Sequence, residues 1–121
     1  RNETGLNEAI EKVRGLREKF WQNLKVPGDD RSYGLNLQKA GRLVDFLELG
    51  ELMAIDALDR KESCGGELRK ESQSEEGEAI RDDDNFCHVS AWEYKGDGMQ
   101  PELYKEPLVF ENVELTQRSY K

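Results

Sequence analysis

The sequence lacks several features on which common functions depend. No apolar run approaches the roughly 20 residues that a membrane-spanning helix needs, so any membrane association should come through a partner. No basic cluster is present, and a formal net charge of −8 repels a phosphate backbone, which argues against nucleic-acid binding. No signal peptide is visible, and we therefore expect a cytoplasmic protein.

Cysteine and histidine are scarce as well. Cys64 and Cys87 form no C-x-x-C pair, and we interpret both as reduced thiols. The only histidine, His88, follows Cys87 on a predicted strand, where successive side chains point to opposite faces. The two should therefore not act as a nucleophile and its base, and we expect His88 to pack near Trp92. The sequence predicts no catalytic residue.

Motifs for metals and nucleotides are also missing. The thiols, the histidine and the aspartates at 82–84 are too scattered for a metal site, and the acidic run lacks the calcium-loop pattern. Neither a P-loop nor G-x-G-x-x-G occurs. We interpret the acidic residues as a solvated loop, and we predict no metal ligand and no cofactor-binding residue in this chain.

Two segments have helical periodicity. Apolar residues recur at steps of three and four over 4–24, within an arc of roughly 140°, and Asn2 or Thr4 can cap the start. A longer helix is predicted over 36–61, where the apolar arc widens to about 200°. One partner helix cannot cover so wide an arc. Either a third helix is missing from the chain or comes from another chain, or the C-terminal segment covers the second side.

Arg17 is a charged residue inside the apolar arc of the first helix. Its side chain can follow the edge of the core, with its charged end in water. It can also pair with a carboxylate from a missing element. The sequence supports either interpretation.

The rest of the chain reads as less regular. Residues 62–84 show no period and predict an irregular connection, and long connections of this kind are often functional. Alternation over 85–95, a glycine-rich turn and a return at 102–106 predict a β-hairpin over 85–106. An extended tail follows over 107–121. We therefore expect one mainly α domain over 1–121, with a C-terminal hairpin.

Three motifs in this region resemble a known family. They are Glu48-Leu49-Gly50-Glu51-Leu52-Met53, Arg60-Lys61-Glu62-Ser63-Cys64-Gly65-Gly66-Glu67-Leu68-Arg69 and Arg81-Asp82-Asp83-Asp84-Asn85-Phe86. Together they are similar to the C-terminal region of the succinate dehydrogenase/fumarate reductase flavoprotein subunit, in the Bacteroides-like branch with the E-S-C-G-G motif. The segments 106–113 and 117–120 also fit, and the resemblance covers essentially the whole chain. Glu67 departs from it, because the family has histidine there.

The resemblance implies a fold and a parent protein. It implies a spectrin-repeat-like three-helix bundle, in which 4–24 and 36–61 are the second and third helices and the first precedes Arg1. The chain begins without methionine, which predicts processing or a segment from within a longer protein. The implied parent holds covalently attached FAD in an N-terminal domain and interconverts succinate and fumarate by hydride transfer.

The resemblance also implies partners. They are the N-terminal FAD and capping domains of the same subunit, an iron–sulfur subunit and, indirectly, a membrane cytochrome b anchor, with the parent peripheral on the cytoplasmic face of the inner membrane. This chain alone should catalyse nothing and should serve as a structural and docking domain, with 62–84 as its docking surface. The candidate docking residues are Glu62, Ser63, Gly65, Gly66, Arg69, Arg81, Asp82 and Asp83.

Two alternatives to this interpretation stay open, and one further expectation follows from it. The parent can instead be a related flavoprotein of the L-aspartate oxidase or adenylylsulfate reductase type. The chain can also be a free-standing acidic interaction module. If a helix is missing, the isolated chain is expected to self-associate through the apolar face left uncovered.

Overall fold

The computed structural model describes residues 1–28 and 34–116 of the chain. The backbone forms two compact units, Arg1–Asp59 and Arg60–Lys121. The first contains two long helices, and the second contains a short helix and a β-hairpin. The predicted helical bundle followed by a hairpin is therefore confirmed, whereas the prediction of one domain over 1–121 stays a prediction.

The first helix, α1, spans Glu3–Asn23, within one residue of the predicted bounds. Asn2 is its N-cap, because the Asn2 side-chain oxygen accepts a hydrogen bond of 2.7 Å from the Gly5 N–H. The helix ends where Leu24 adopts an extended backbone, three residues before Pro27. The remainder of the predicted terminating turn, at 29–30, lies outside the described residues.

The second helix, α2, spans Leu35–Asp59 and packs against α1. The buried apolar residues of this unit are Leu6, Ile10 and Ala57. On α2, the half-buried apolar residues share one side, since they fall within an arc of about 160°. They are Ala40, Val44, Leu47, Leu52, Ala54, Ile55 and Leu58.

A row of exposed apolar residues on α2 is here called the α2 stripe. It consists of Leu35, Phe46, Leu49 and Met53. Phe46 is 66% exposed and Met53 is 64% exposed. The centre of the stripe lies about 170° around the helix from the centre of the half-buried arc, so the stripe faces away from the side that packs on α1. The wide apolar arc of α2 therefore contains a packed side and an exposed side.

The second unit begins with tight turns and a 3₁₀ turn at Lys70–Ser72, followed by the short helix α3, Asp83–Phe86. The strand predicted from residue 85 begins instead at His88. The prediction was wrong at this boundary because Asp82 caps α3, its carboxylate accepting from the Asn85 N–H at 3.3 Å. In the sequence, the alternating pattern of the strand extends back to Phe86. The pattern therefore does not reveal that Phe86 belongs to the helical turn of α3.

The hairpin consists of β1, His88–Glu93, and β2, Glu102–Pro107. The strands are antiparallel, with His88 opposite Pro107 and Glu93 opposite Glu102. Residues at alternate positions of β1 are half-buried, starting with His88, and those between them are exposed. His88 and Trp92 share the half-buried face, and the His88 ring lies 5.9 Å from the ring of Phe86. The tail is described as far as residue 116, and its predicted end at 117–121 lies outside the described residues.

Candidate docking surface and the network behind it

The segment 62–84 is ordered by local hydrogen bonds, although its sequence has no period. The N–H of Cys64 donates to the carbonyl of Glu67, and the N–H of Glu67 donates back, both at 2.9 Å. Gly65 has φ +57°, a left-handed conformation that favours glycine. This tight turn places Gly65 and Gly66 at the surface.

Ser63 stabilises this turn through hydrogen bonds and is 0% exposed. Its hydroxyl accepts from the Arg69 N–H at 2.9 Å and donates to the Arg69 carbonyl at 3.1 Å. The Ser63 N–H donates to the carbonyl of Ile80 at 2.9 Å. The Arg69 guanidinium in turn donates to the carbonyl of Arg60 at 3.1 Å. Side-chain and backbone groups of this motif therefore satisfy each other.

Glu62 is the second internal anchor of this unit. Its carboxylate is buried and accepts from Arg60 Nη1 at 2.5 Å and from the Asp82 N–H at 2.9 Å. The Arg60 guanidinium also donates to the carbonyls of Phe86 and His88, both at 3.4 Å. Arg60 and Glu62 therefore link the turn to α3 and to the start of β1.

These contacts correct the assignment of Glu62, Ser63 and Arg69 to a docking surface. All three are buried, and their polar groups have hydrogen-bond partners within the unit. They therefore support the exposed residues of the segment from the interior. The other five predicted residues are exposed or partly exposed, and for them a docking role stays a prediction. They are Gly65, Gly66, Arg81, Asp82 and Asp83.

Arg81 and Asp83 form a paired group at the surface. The guanidinium donates to both carboxylate oxygens, at 2.9 and 2.5 Å. These hydrogen bonds lower the pKa of Asp83 and raise the pKa of Arg81. The pair borders an open, largely acidic groove, and because it faces solvent it should add little stability. The groove is lined by Lys61, Glu71, Ser72, Ile80, Arg81, Asp82, Asp83 and Asp84.

In the first unit, Arg17 pairs with Glu51 of α2 at 2.5 Å, and Arg14 binds the other oxygen at 2.7 Å. Of the two interpretations left open for Arg17, a carboxylate from a missing element was wrong, because the carboxylate that pairs with Arg17 lies within this chain. Burial raises the pKa of Glu51, but the hydrogen bonds from the two arginines outweigh it and hold the pKa below its usual value. The carboxylate stays charged at neutral pH and fixes the register of α1 against α2.

The described residues do not assemble the groups that metal or membrane chemistry requires. Within residues 1–28 and 34–116, no group of three or more histidine, cysteine or acidic residues is placed to hold a metal ion. Cys64 and Cys87 are free thiols. No described helix combines the length and the apolar character needed to cross a bilayer.

Comparisons with known proteins give a consistent result. A family model described as "Fumarate reductase flavoprotein C-term" matches residues 1–120. A solved structure of the FrdA chain of E. coli quinol fumarate reductase matches with a TM-score of 0.73 and 26% sequence identity. That match covers 94% of this chain and 18% of the FrdA chain. No curated protein matches the sequence.

Proposed function

Since this chain belongs to the family of fumarate reductase flavoprotein C-terminal domains, we propose that it braces the flavin-binding part of its subunit and docks within the subunit through the α2 stripe, which packs against a helix outside this chain. The observation that carries the proposal is the stripe itself, in which Phe46, Leu49 and Met53 are exposed on one row of a helix. Contiguous apolar surface of this kind marks a contact with other protein.

The stripe has the dimensions of a helix-packing face. From Leu35 to Met53 it runs about 27 Å along α2. Burying each large apolar side chain of the stripe should stabilise the contact by a free energy of roughly 1.5–3 kcal/mol. Lys39 and Arg42 lie in the same row, so the covering element should carry carboxylates at that end. These features fit a helix outside this chain, as expected for a three-helix bundle.

The chemistry of the whole protein belongs to the parts outside this chain. The matched FrdA chain is more than five times longer than the aligned segment, which leaves room for a flavin domain and a capping domain. In this proposal the parent carries FAD there, interconverts succinate and fumarate by hydride transfer, and holds its catalytic groups there. This chain by itself catalyses nothing.

The exposed part of 62–84 is the second contact surface in this proposal. The glycine turn at Gly65 and Gly66 and the Arg81–Asp83 pair stand on the rigid network of buried residues beneath them. A surface held in this way can bind without a large entropic cost of ordering. We place it towards other parts of the proposed complex, an iron–sulfur subunit and, through it, a membrane cytochrome b anchor. In this proposal the parent subunit is peripheral on the cytoplasmic face of the inner membrane. The aspartate oxidase and adenylylsulfate reductase alternatives gain no support, since family and structural match are both fumarate reductase.

A double substitution tests the stripe. Phe46→Asp with Met53→Asp in the full-length subunit should lower the yield of assembled, flavin-containing complex at least ~10-fold, because each aspartate places a charge in a buried contact at a cost of several kcal/mol. The yield is measured by size-exclusion chromatography with flavin absorbance. In the isolated chain, at concentrations low enough to keep it monomeric, the same variant should keep its unfolding midpoint, because both side chains are exposed in the monomer.

Two controls sharpen this test. Phe46→Leu with Met53→Leu keeps the apolar surface and should assemble normally. Gln22→Asp with Gln100→Asp adds the same charge at exposed positions away from the stripe and should also assemble normally. By light scattering, the isolated chain should self-associate through the stripe, and the double aspartate variant should be monomeric. Normal assembly of the double aspartate variant would rule out the stripe as the contact.

A further inference from the structure

The turn at the tip of the hairpin carries an aspartate that is followed directly by glycine. Asp97-Gly98 is the only Asp-Gly pair in the sequence, and no Asn-Gly pair occurs. Both residues are exposed and lie in the connection between β1 and β2. Such a pair has a chemistry of its own, because the backbone nitrogen of glycine can approach the neighbouring carboxyl group without obstruction by a side chain.

The nitrogen of Gly98 is free to act as a nucleophile. Its N–H has no hydrogen-bond partner within residues 1–28 and 34–116. Gly98 has φ +74°, and a methyl group placed on it would meet no atom within 4 Å apart from its chain neighbours. The space beside this peptide bond is therefore open.

Two hydrogen bonds restrain the turn, and both lie at the surface. The Met99 N–H donates to the carbonyl of Gly96 at 3.1 Å. The Tyr94 hydroxyl donates to Asp97 Oδ1 at 2.5 Å. Because exposed hydrogen bonds are readily exchanged for bonds to water, the need to break both should slow a reaction at the turn by only ~30-fold. The fold therefore gives Asp97 little protection.

The other described aspartates are held more firmly or are followed by a larger residue. Asp45 and Asp56 lie within α2, where the backbone cannot rotate unless the helix opens. Asp82 caps α3, and Asp83 accepts two hydrogen bonds from a neighbouring guanidinium. Among the described aspartates, Asp97 alone precedes glycine. A reaction between carboxyl group and backbone should therefore occur first at Asp97.

We propose that Asp97 is a site of spontaneous covalent modification, at which aspartate converts into isoaspartate through a cyclic imide. The Gly98 nitrogen attacks Cγ of the protonated Asp97 carboxyl group, a C–N bond forms, and one water molecule leaves. A water molecule then adds to the backbone carbonyl of the imide and breaks the bond between that carbonyl and nitrogen. The main chain now continues through the side-chain carbon. The two steps balance as an isomerisation and need neither a cofactor nor an oxidant.

The product changes the tip of the hairpin. Isoaspartate lengthens the backbone by one atom and leaves a carboxylate on the α-carbon. The turn closed by Gly96 and Met99 then loses its geometry, and the pairing nearest to it, Glu93 opposite Glu102, should weaken. The isoaspartyl group is also the substrate of methyltransferases that act on aged proteins, so the modified chain fits that class of enzyme. This inference is independent of the proposed function, since it uses neither the α2 stripe nor the segment 62–84.

Incubation of the folded chain at physiological temperature and neutral pH tests the site, with isoaspartate located by peptide mapping and electron-transfer fragmentation. Isoaspartate should accumulate at 97 before any other described aspartate, at a rate within ~30-fold of that in the chain unfolded in guanidinium chloride. Asp97→Glu keeps the charge but needs a larger ring, and it should lose the product. Absence of isoaspartate at 97 in the folded chain would overturn the proposal, as would earlier accumulation at Asp45 or Asp56.

A second variant tests the restraint on the turn. Tyr94→Phe removes the hydroxyl that holds Asp97 and should speed the formation of isoaspartate by ~5-fold. The matched control Tyr104→Phe removes an exposed hydroxyl from β2 and should leave the rate unchanged. A slower reaction in Tyr94→Phe would contradict the assignment of this hydrogen bond as a restraint.

Discussion

Replacing Glu62 with alanine is expected to destabilise the second unit by about 3 kcal/mol, the lower end of the range for breaking a buried ion pair. The change leaves the Asp82 N–H without its acceptor and removes the carboxylate from Arg60. Arg60 keeps some contact with water, which limits the loss. Urea unfolding followed by Trp92 fluorescence measures the effect, in a Trp21→Phe background so that the signal reports the second unit alone.

Two variants control this measurement. Glu62→Gln keeps the shape and one acceptor and should lose less stability than the alanine variant. Glu75→Ala removes an exposed glutamate from the same segment and should change the free energy of unfolding by less than ~0.5 kcal/mol. Equal unfolding curves for Glu62→Ala and Glu75→Ala would show that Glu62 is not an internal anchor.

Replacing Ser63 with alanine is expected to destabilise the same unit by about 2 kcal/mol, the cost of leaving a buried backbone N–H without a partner. The orphaned group is the Arg69 N–H, which donates to the Ser63 hydroxyl. The Arg69 carbonyl is less affected, because it also accepts from the Ser72 N–H at 3.1 Å. The same fluorescence measurement applies.

The matched control is Ser72→Ala. The Ser72 hydroxyl also donates to a backbone carbonyl, that of Lys61, but at an exposed site where water can replace it. We expect a loss below ~1 kcal/mol there. If Ser63→Ala and Ser72→Ala lowered the free energy of unfolding equally, burial of the Ser63 hydrogen bonds would not explain the effect of Ser63→Ala.

The two long helices could be predicted because their cores repeat with the helical period. Leu6 and Ile10 are spaced by four residues and are both buried. Glu51 was not singled out, although it lies among the half-buried residues on the wheel of α2. Glu51 places a carboxylate in the middle of the apolar side of α2, and Arg14 and Arg17 lie near the apolar side of α1. This combination was a signal for the ion pair between the two helices.

The connection over 62–84 could not be predicted in the same way. Its order comes from individual side-chain bonds, such as those of Ser63 to Arg69, and these leave no period in the sequence. Polar residues in such a stretch suggest solvent exposure, and for Glu62 and Ser63 this was wrong. The Asp82 cap was a recognisable signal, since aspartate favours the first position before a helical turn.

The most direct test of the proposed role is whether the α2 stripe is covered in the full-length subunit. Met53→Cys and, as a control, Glu18→Cys are made with Cys64, Cys87 and any cysteine outside this chain replaced by serine, and maleimide labelling rates are compared before and after unfolding in urea. Position 53 should label at least ~100-fold more slowly in the folded subunit than in the unfolded one, because a covered thiol reacts only when the contact opens. Position 18 should label at nearly the same rate in both states. Rapid labelling of position 53 in the folded subunit would contradict a bracing domain that docks through this helix.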